Sequence, residues 1–255
     1  MKDYPSKEID VEGLKKDGLS FDMHFHTSYS DGSADIDTVA RICKKNRVGV
    51  AITDHNEIRG SVLASAEEIN LIPGIEVRSS ENMDMLFYFY KIGDLIEFYN
   101  KYIKPNKVKP CYAGLKISGS DLLDCSKKCN AISSVPHPFT FYHSLKSANK
   151  LYIEKGLDKF DLLKKFDAIE VMNGHLLKKM NMAAFEFANK NNKAYTAGSD
   201  GHVRFDLVYY YSGRLPRIIV SKGWAFRKHA SHPLYYFKRF LSFGKRKIVH
   251  VNKKL

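Results

Sequence analysis

Residues 21–32, FDMHFHTSYSDG, are the most informative stretch of the sequence for predicting the fold. Its first half is a short, mostly apolar run that predicts a β-strand ending in His24 and His26. Because side chains two positions apart in a strand point to the same side, the two imidazoles share one face. The second half, from Thr27 to Gly32, is rich in turn-forming residues and brings the carboxylate of Asp31 close behind them. The stretch therefore predicts a strand that delivers metal-binding groups to its carboxyl end.

The same arrangement recurs along the chain, where short apolar runs alternate with helical patterns. Helices are predicted over residues 36–45, from near Ser61, and over residues 176–191. The further predicted strands cover residues 48–53, 71–76, 86–90, 131–136, 168–172 and 194–197. This alternation predicts an α/β fold with a largely parallel sheet, either open or closed into a barrel. In such folds the active site lies at the carboxyl ends of the strands.

Polar side chains follow these predicted strands at their ends. They include His55, Glu76, His137, Asn173, Asp200 and His202. Burying so many polar groups at one rim is costly unless cations compensate their charge. Imidazole and carboxylate together suit zinc, manganese or iron, and the number of groups exceeds what one tetrahedral ion uses. The sequence thus predicts a site for two or three divalent metal ions.

The ordered set of motifs resembles a known family. The runs FDMHFHTSYSDG, AITDHN, LIPGIE, HPF, AIEVMNG and GSDGH follow one another between residues 21 and 202. In this order they look like the polymerase and histidinol phosphatase (PHP) family of metal-dependent phosphoesterases. The resemblance implies a distorted seven-stranded β/α (TIM-like) barrel with a dinuclear or trinuclear metal centre. It also implies hydrolysis of phosphate esters by a metal-bridging hydroxide held by Glu76 and Asp200.

The resemblance also implies how the ligands are shared. One ion is expected on His24, His26, Glu76 and Asp200. Glu76 bridges to a second ion beside His137, and a third is held by Asp31, His55 and His202. Two departures from the family pattern matter. The SDG form, with Asp31, resembles the branch acting on nucleotides and short oligonucleotides, whereas residues 79–90, SSENMDMLFYFY, contain no His for the second ion.

Candidate substrate-binding residues also follow strand ends. They are Asn173, Arg204, Arg78 and His175. An arginine there suits bidentate phosphate binding, although a loop arginine is also often simply solvated. Asn173 is equally compatible with a turn before Gly174. Asp54, adjacent to His55, is predicted to support the ligands without holding an ion itself.

The charge of the chain is concentrated near its end. Of 255 residues, 41 are Lys or Arg and 28 are Asp or Glu, which gives +13. Residues 207–255 contain 12 Lys and Arg and no acidic residue, so residues 1–206 carry 29 basic groups against 28 acidic ones. We expect a phosphoesterase domain over 1–206 and a basic, aromatic-rich extension over 207–255, packed on or near the barrel. Such a segment attracts nucleic acid, anionic surfaces or phosphorylated substrates.

Other classes are constrained by composition. No apolar run reaches the roughly 20 residues of a membrane span, and the start, MKDYPSKEID, lacks the apolar stretch of a secretory signal. We therefore expect a cytoplasmic enzyme of undetermined oligomeric state. Two alternatives stay open at this point. One is an amidohydrolase-like enzyme that cleaves C–N bonds, although no predicted strand end offers its usual metal-bridging Lys. The other is a non-catalytic module that binds polyanions through the basic extension.

Overall fold

A computed structural model describes residues 20–109, 113–140, 159–204 and 206–209. It contains seven strands in one sheet. They are β1 (Ser20–Phe25), β2 (Val48–Ile52), β3 (Leu71–Arg78), β4 (Asp84–Tyr88), β5 (Ile132–Val135), β6 (Ala168–Asn173) and β7 (Ala194–Gly198). Apart from residues 207–209, the basic extension predicted for 207–255 lies outside the described residues, so the domain boundary stays a prediction.

The sheet is nearly closed into a barrel. Its strands lie side by side in chain order, and neighbours are parallel except around β4, which runs antiparallel to both β3 and β5. The two ends of the sheet meet just beyond β7, where the amide of His26 donates to the carbonyl of Gly201 at 2.8 Å. The amide of Gly201 in turn donates to the carbonyl of His24 at 3.2 Å. The predicted seven-stranded, distorted β/α barrel is therefore confirmed.

Helices connect most of the strands. The described α-helices are α1 (Ile36–Asn46), α2 (Arg59–Ala64), α3 (Ile92–Phe98), α4 (Gly119–Lys128), α5 (Lys159–Lys165), α6 (Lys178–Lys190) and α7 (Asp206–Tyr209), of which α7 follows the last strand. A π-helix (Tyr99–Ile103) and a 3-10 helix (Lys104–Asn106) follow α3. Helix α1 begins where Asp35 accepts a hydrogen bond from the amide of Thr38, and it ends at Arg47, whose φ of 52° is left-handed. No helix among these is long and apolar enough to cross a membrane.

The apolar residues form layers on both sides of the sheet, and successive side chains of β2 pack in opposite layers. Val48, Val50 and Ile52 pack in the outer cluster that includes the buried face of α1. Ala51, between them, belongs to an inner cluster from β1 to β4. That inner cluster consists of Phe21, Met23, Ala51, Ile72, Leu86 and Tyr88. Apolar side chains therefore fill part of the barrel interior, and the polar groups gather at the carboxyl end of β1.

A bulge in β1 makes the change from apolar to polar interior possible. The register of β1 against β2 shifts between Asp22 and Phe25. Met23 lies in the inner cluster and Phe25 in the outer one, while the Nε2 atoms of His24 and His26 lie 3.1 Å apart. Uninterrupted alternation would send Met23 and His24 to opposite faces, whereas an extra residue re-aims the side chains that follow it. The bulge therefore turns both imidazoles inward.

Strand β7 approaches β1 so closely at Gly198 that a larger residue there is predicted to destabilise the barrel. A Cβ there would lie 2.4 Å from Cβ of His24 and 2.6 Å from its backbone nitrogen. We expect Gly198→Ala to lower the free energy of unfolding by about 1–3 kcal/mol, because β7 must move away from β1. Urea denaturation measures this change.

Gly93→Ala is the matched control, because a Cβ at Gly93, in the first turn of α3, would meet no atom within 4 Å. It should be neutral or stabilising by up to ~1 kcal/mol. Equal stability of the two variants would contradict the close approach of β7 to β1.

Candidate metal centre

The carboxylate of Glu76 is the point on which the candidate centre converges. Its Oε2 lies 3.4 Å from Nε2 of His24, 3.3 Å from Nε2 of His26 and 3.0 Å from Nδ1 of His55. Its Oε1 lies 3.3 Å from Nε2 of His137. All five side chains are buried. The ends of β1, β2, β3 and β5 thus deliver one carboxylate and four imidazoles to one place.

One potential ion site lies between β1, β3 and the loop after β7. Ligand atoms of His24, His26 and Glu76 lie within 4.8 Å of one another. Asp200 joins them, because its Oδ1 lies 3.6 Å from Nε2 of His24 and 3.5 Å from Nε2 of His26. These are the four residues expected to share the first ion.

A second group lies on the other side of His26. Nε2 of His202 is 3.2 Å from Oδ2 of Asp31, and Nδ1 of His26 is 3.6 Å from Oδ1 of the same carboxylate. Nε2 of His55 lies 3.9 Å from Oδ2 of Asp31. The sequence grouped Asp31, His55 and His202, and the structure brings them together with His26 as a fourth member.

Hydrogen bonds at the far nitrogen orient two of the imidazoles. His24 Nδ1 lies 2.9 Å from Oε1 of Glu170, and His202 Nδ1 lies 2.7 Å from the backbone carbonyl of Asp200. Because these partners are acceptors, each ring in its neutral form would carry its proton on Nδ1 and direct the lone pair of Nε2 into the centre. This is the protonation state that a metal ligand needs.

Glu170 is a residue of the candidate centre that sequence analysis did not select. Besides His24, it accepts hydrogen bonds through Oε2 from the amide of His137 at 2.8 Å and from Nδ2 of Asn173 at 2.9 Å. Its side chain is buried within β6. A carboxylate amid the apolar residues of AIEVMN was the available signal, since a buried carboxylate requires partners.

Asp54 supports the loop that carries Asp31 rather than facing the potential ions. It accepts hydrogen bonds from the amide and hydroxyl of Thr27, at 2.7 and 2.6 Å, and from the hydroxyl of Ser30 at 2.5 Å. Burial raises the pKa of Asp54 to about 6, although these hydrogen bonds oppose the change. The position agrees with the supporting role expected from the sequence.

The electrostatics of the centre favour charged carboxylates. Burial alone would raise the pKa of Asp200, but His24, His26 and other imidazoles lower it well below its usual range. Burial, together with His202 and His55, lowers the pKa of His26 to about 3, so this ring is neutral. The remaining negative charge raises the pKa of His137 to about 9 despite its burial, chiefly through Glu76. Divalent cations would neutralise this excess negative charge.

The residues present fit a metal centre. Nδ1 of His26 is buried and has no hydrogen-bond partner among the residues the structure describes. An unpaired buried nitrogen is costly unless it binds something else, and here it points toward the group that contains Asp31, His55 and His202. Imidazole and carboxylate ligands in this combination suit zinc, manganese or iron.

The predicted substrate-binding residues differ in where they lie. Asn173 donates through Nδ2 to Glu170 and, at 3.2 Å, to Asp200. Arg78 is paired with Asp84, a residue that the sequence analysis did not select. The ring of His175 lies 5.7 Å from that of His202, and Arg204 is exposed in the loop that follows. His175 therefore borders the centre, Arg204 is exposed two residues after His202, and Asn173 and Arg78 are held by carboxylates.

The chain is similar to one protein family and to several solved structures. The profile of the PHP domain matches residues 22–225. No curated protein sequence matches significantly. One similar structure is an amidohydrolase from Chromobacterium violaceum with bound sulfate and no metal, which has 16% identity and a TM-score of 0.57 and aligns over 78% of this chain and 92% of its own.

Two further similar structures are endonucleases. The lesion-specific endonuclease PfuEndoQ from Pyrococcus furiosus has 18% identity and a TM-score of 0.56, over 73% of this chain and 49% of its own. Endonuclease Q in complex with a 27-mer duplex carrying an abasic lesion has 17% identity and a TM-score of 0.55, over the same shares. The chain thus spans about half the length of these endonucleases.

The contacts of Glu170 predict weaker metal binding in Glu170→Gln. The carboxylate accepts from three donors, whereas glutamine offers one acceptor oxygen and a donating amide, so at least one donor loses its partner. We expect the dissociation constant for zinc to rise about 10–100-fold, the range for losing a residue that orients a ligand. Competition with a fluorescent chelator measures it.

Glu186→Gln, at an exposed position of α6, is the matched control and should bind zinc like the wild type. An unchanged affinity in Glu170→Gln would show that the orientation of His24 and His137 does not depend on this carboxylate.

Proposed function

The chain belongs to the PHP domain family, and from this premise we propose that it is a metal-dependent phosphoesterase acting on nucleotides or short oligonucleotides. The observation that carries the proposal is the convergence of His24, His26, His55 and His137 on the carboxylate of Glu76. Asp31, Asp200 and His202 complete the set. We propose that these eight residues hold two or three divalent ions, which are zinc, manganese or iron.

Each residue has a separate task in the proposed reaction. Divalent ions in the centre would activate water near neutral pH and neutralise the oxygens of a phosphoryl group. Glu76 and Asp200 supply charged carboxylates that would hold the ions. Asn173 donates to Asp200 and so fixes the direction of that carboxylate. Asp54 keeps the Thr27–Ser30 turn in place, which positions Asp31.

We propose that substrate enters beside His202. His175 borders the centre on that side, and Arg204 is exposed two residues after His202. A guanidinium can bind two phosphate oxygens at once, so Arg204 suits a phosphate beyond the one being cleaved. His175 is also 3.7 Å from Asp206, which limits the directions in which its ring can turn.

The proposed substrate class rests on charge. Residues 207–255 contribute 12 Lys and Arg without an acidic residue, which favours substrates with several phosphates. The SDG form of the Asp31 loop agrees with this choice. One of the similar endonucleases is in complex with a 27-mer duplex substrate, so a barrel of similar fold is compatible with a substrate of this class.

The first test is phosphate release by protein purified without chelator. Substrates would be mononucleotides, 3′,5′-bisphosphate nucleotides and short oligonucleotides. We expect turnover that is abolished by chelator and reduced more than ~100-fold by Asp200→Asn, because that residue binds an ion directly instead of orienting a ligand. Asp37→Asn, an exposed position in the first turn of α1, is the control and should retain full activity.

Two results would contradict the proposal, and each would favour a different function. Chelator-sensitive release of ammonia or amine from amide substrates, with no phosphate release, would favour a hydrolase of C–N bonds. Protein that stays inert with manganese, iron or zinc would favour a module that binds polyanions.

The positive charge of the basic extension, residues 207–255, predicts a specific kinetic effect. Replacing Lys245, Arg246 and Lys247 by Gln should raise KM for a short oligonucleotide several-fold at low salt and leave kcat unchanged, because each phosphate contact contributes to salt-dependent affinity. The KM for a mononucleotide is the internal control and should change little. Equal KM values for the oligonucleotide before and after substitution would show that the basic extension does not contribute to substrate binding.

A further inference from the structure

A buried ion pair stands beside the metal centre. Arg78 is the last residue of β3 and Asp84 the first of β4, and they face each other in the antiparallel register. Nε of Arg78 lies 2.6 Å from Oδ1 of Asp84, and Nη2 lies 2.9 Å from Oδ2. Both side chains are shielded from water, at 13% and 4% exposure. The guanidinium therefore donates two parallel hydrogen bonds to the carboxylate, which is the strongest geometry for such a pair.

The pair faces the space on the His137 side of Glu76. Oδ2 of Asp84 lies 3.9 Å from Nε2 of His137, and that nitrogen is 3.3 Å from Oε1 of Glu76. Asp84, Glu76 and His55 also offer ligand atoms within 4.8 Å of one another. By position, then, this is where an ion beside His137 would lie.

The carboxylate of Asp84 is already engaged by a cation. Its Oδ2, the atom nearest His137, accepts from Nη2 of Arg78. A divalent ion within ~2.2 Å of that oxygen would lie only a few ångströms from a guanidinium that cannot lose its charge. Repulsion between the two cations opposes metal binding, and burial strengthens the repulsion.

The ligand set on this side is also the poorest. Residues 79–90 provide no histidine, so the nitrogen atoms on this side come from His137 and from His55, and the group around Asp31 shares His55. By contrast, the group of His26, Asp31, His55 and His202 combines three imidazoles with a carboxylate, and the group of His24, His26 and Glu76 is completed by Asp200. The two groups away from Arg78 are the ones equipped to hold ions.

We propose that the guanidinium of Arg78, held by Asp84, takes the place of a metal ion beside His137, so that the chain binds two ions and not three. The inference rests on the metal-dependent function proposed above and narrows its metal centre to two ions, held without His137. Arg78 is then a fixed positive charge that neutralises Asp84 and faces Glu76, and His137 contacts Glu76 without binding an ion.

The test is elemental analysis of the full chain after equilibration with excess Mn²⁺ and removal of unbound metal. Wild-type protein should contain two ions per chain. Arg78→Met, which keeps the aliphatic stem and removes the charge, should contain three, because Asp84 and His137 become available together. Arg78→Lys retains a cation and should contain two.

The outcomes distinguish this inference from the proposed function. Three ions in the wild type, three in Arg78→Lys, or two in a folded Arg78→Met would overturn the role of Arg78 and leave the phosphoesterase intact. No ion in the wild type would overturn both.

Arg78→Met leaves the carboxylate of Asp84 without its partner, and this variant could therefore fail to fold. A second variant, His137→Ala, tests the proposal independently of Arg78. His137→Ala should keep two ions if His137 binds none. Loss of an ion from His137→Ala would overturn the proposal, and retention of both would support it.

Discussion

The carboxylate of Glu76 inside a ring of imidazoles is the constraint on which the structure depends. Four histidines approach its two oxygens at 3.0–3.4 Å in a region shielded from water. So many polar groups can be buried together only if opposite charges and metal ions compensate them. The barrel supplies the geometry, because its strands bring residues that are distant in sequence to one rim. The bulge in β1 and the close approach at Gly198 both serve this convergence.

Behind the ligands lies a second set of carboxylates that hold the backbone. Asp22 accepts hydrogen bonds from the amides of His24 and Ser199, and Asp54 accepts one from Thr27. Glu170 accepts from the amide of His137, whose φ of 31° is unfavourable for a residue with a side chain. Strain of this kind costs about 1–3 kcal/mol and persists only where the surroundings enforce it. The buried acids thus fix the loops that carry the ligands.

Sequence reasoning predicted the strands and most of the candidate site because both follow a local rule. A parallel strand that ends at a buried rim is an apolar run followed by a polar residue, and this pattern is visible at His26, His55, Glu76 and Asp200. The bulge in β1 was not visible, because the letters of a strand do not show where its register shifts. Glu170 was missed for a related reason. Its role depends on contacts with His24 and His137, which are 146 and 33 residues away.

The same rule fails at β4 for a topological reason. Because β4 runs against its neighbours, its first residue lies at the rim where the other strands end, and Asp84 therefore faces His137. The sequence prediction looked for a histidine in residues 79–90, where there is none, and did not select Asp84. The antiparallel hairpin also places Arg78 directly opposite Asp84, so two charged residues six positions apart form a buried pair. Reversing a single strand thus gives this rim position a different chemistry from the others, with a guanidinium where the parallel strands offer imidazoles.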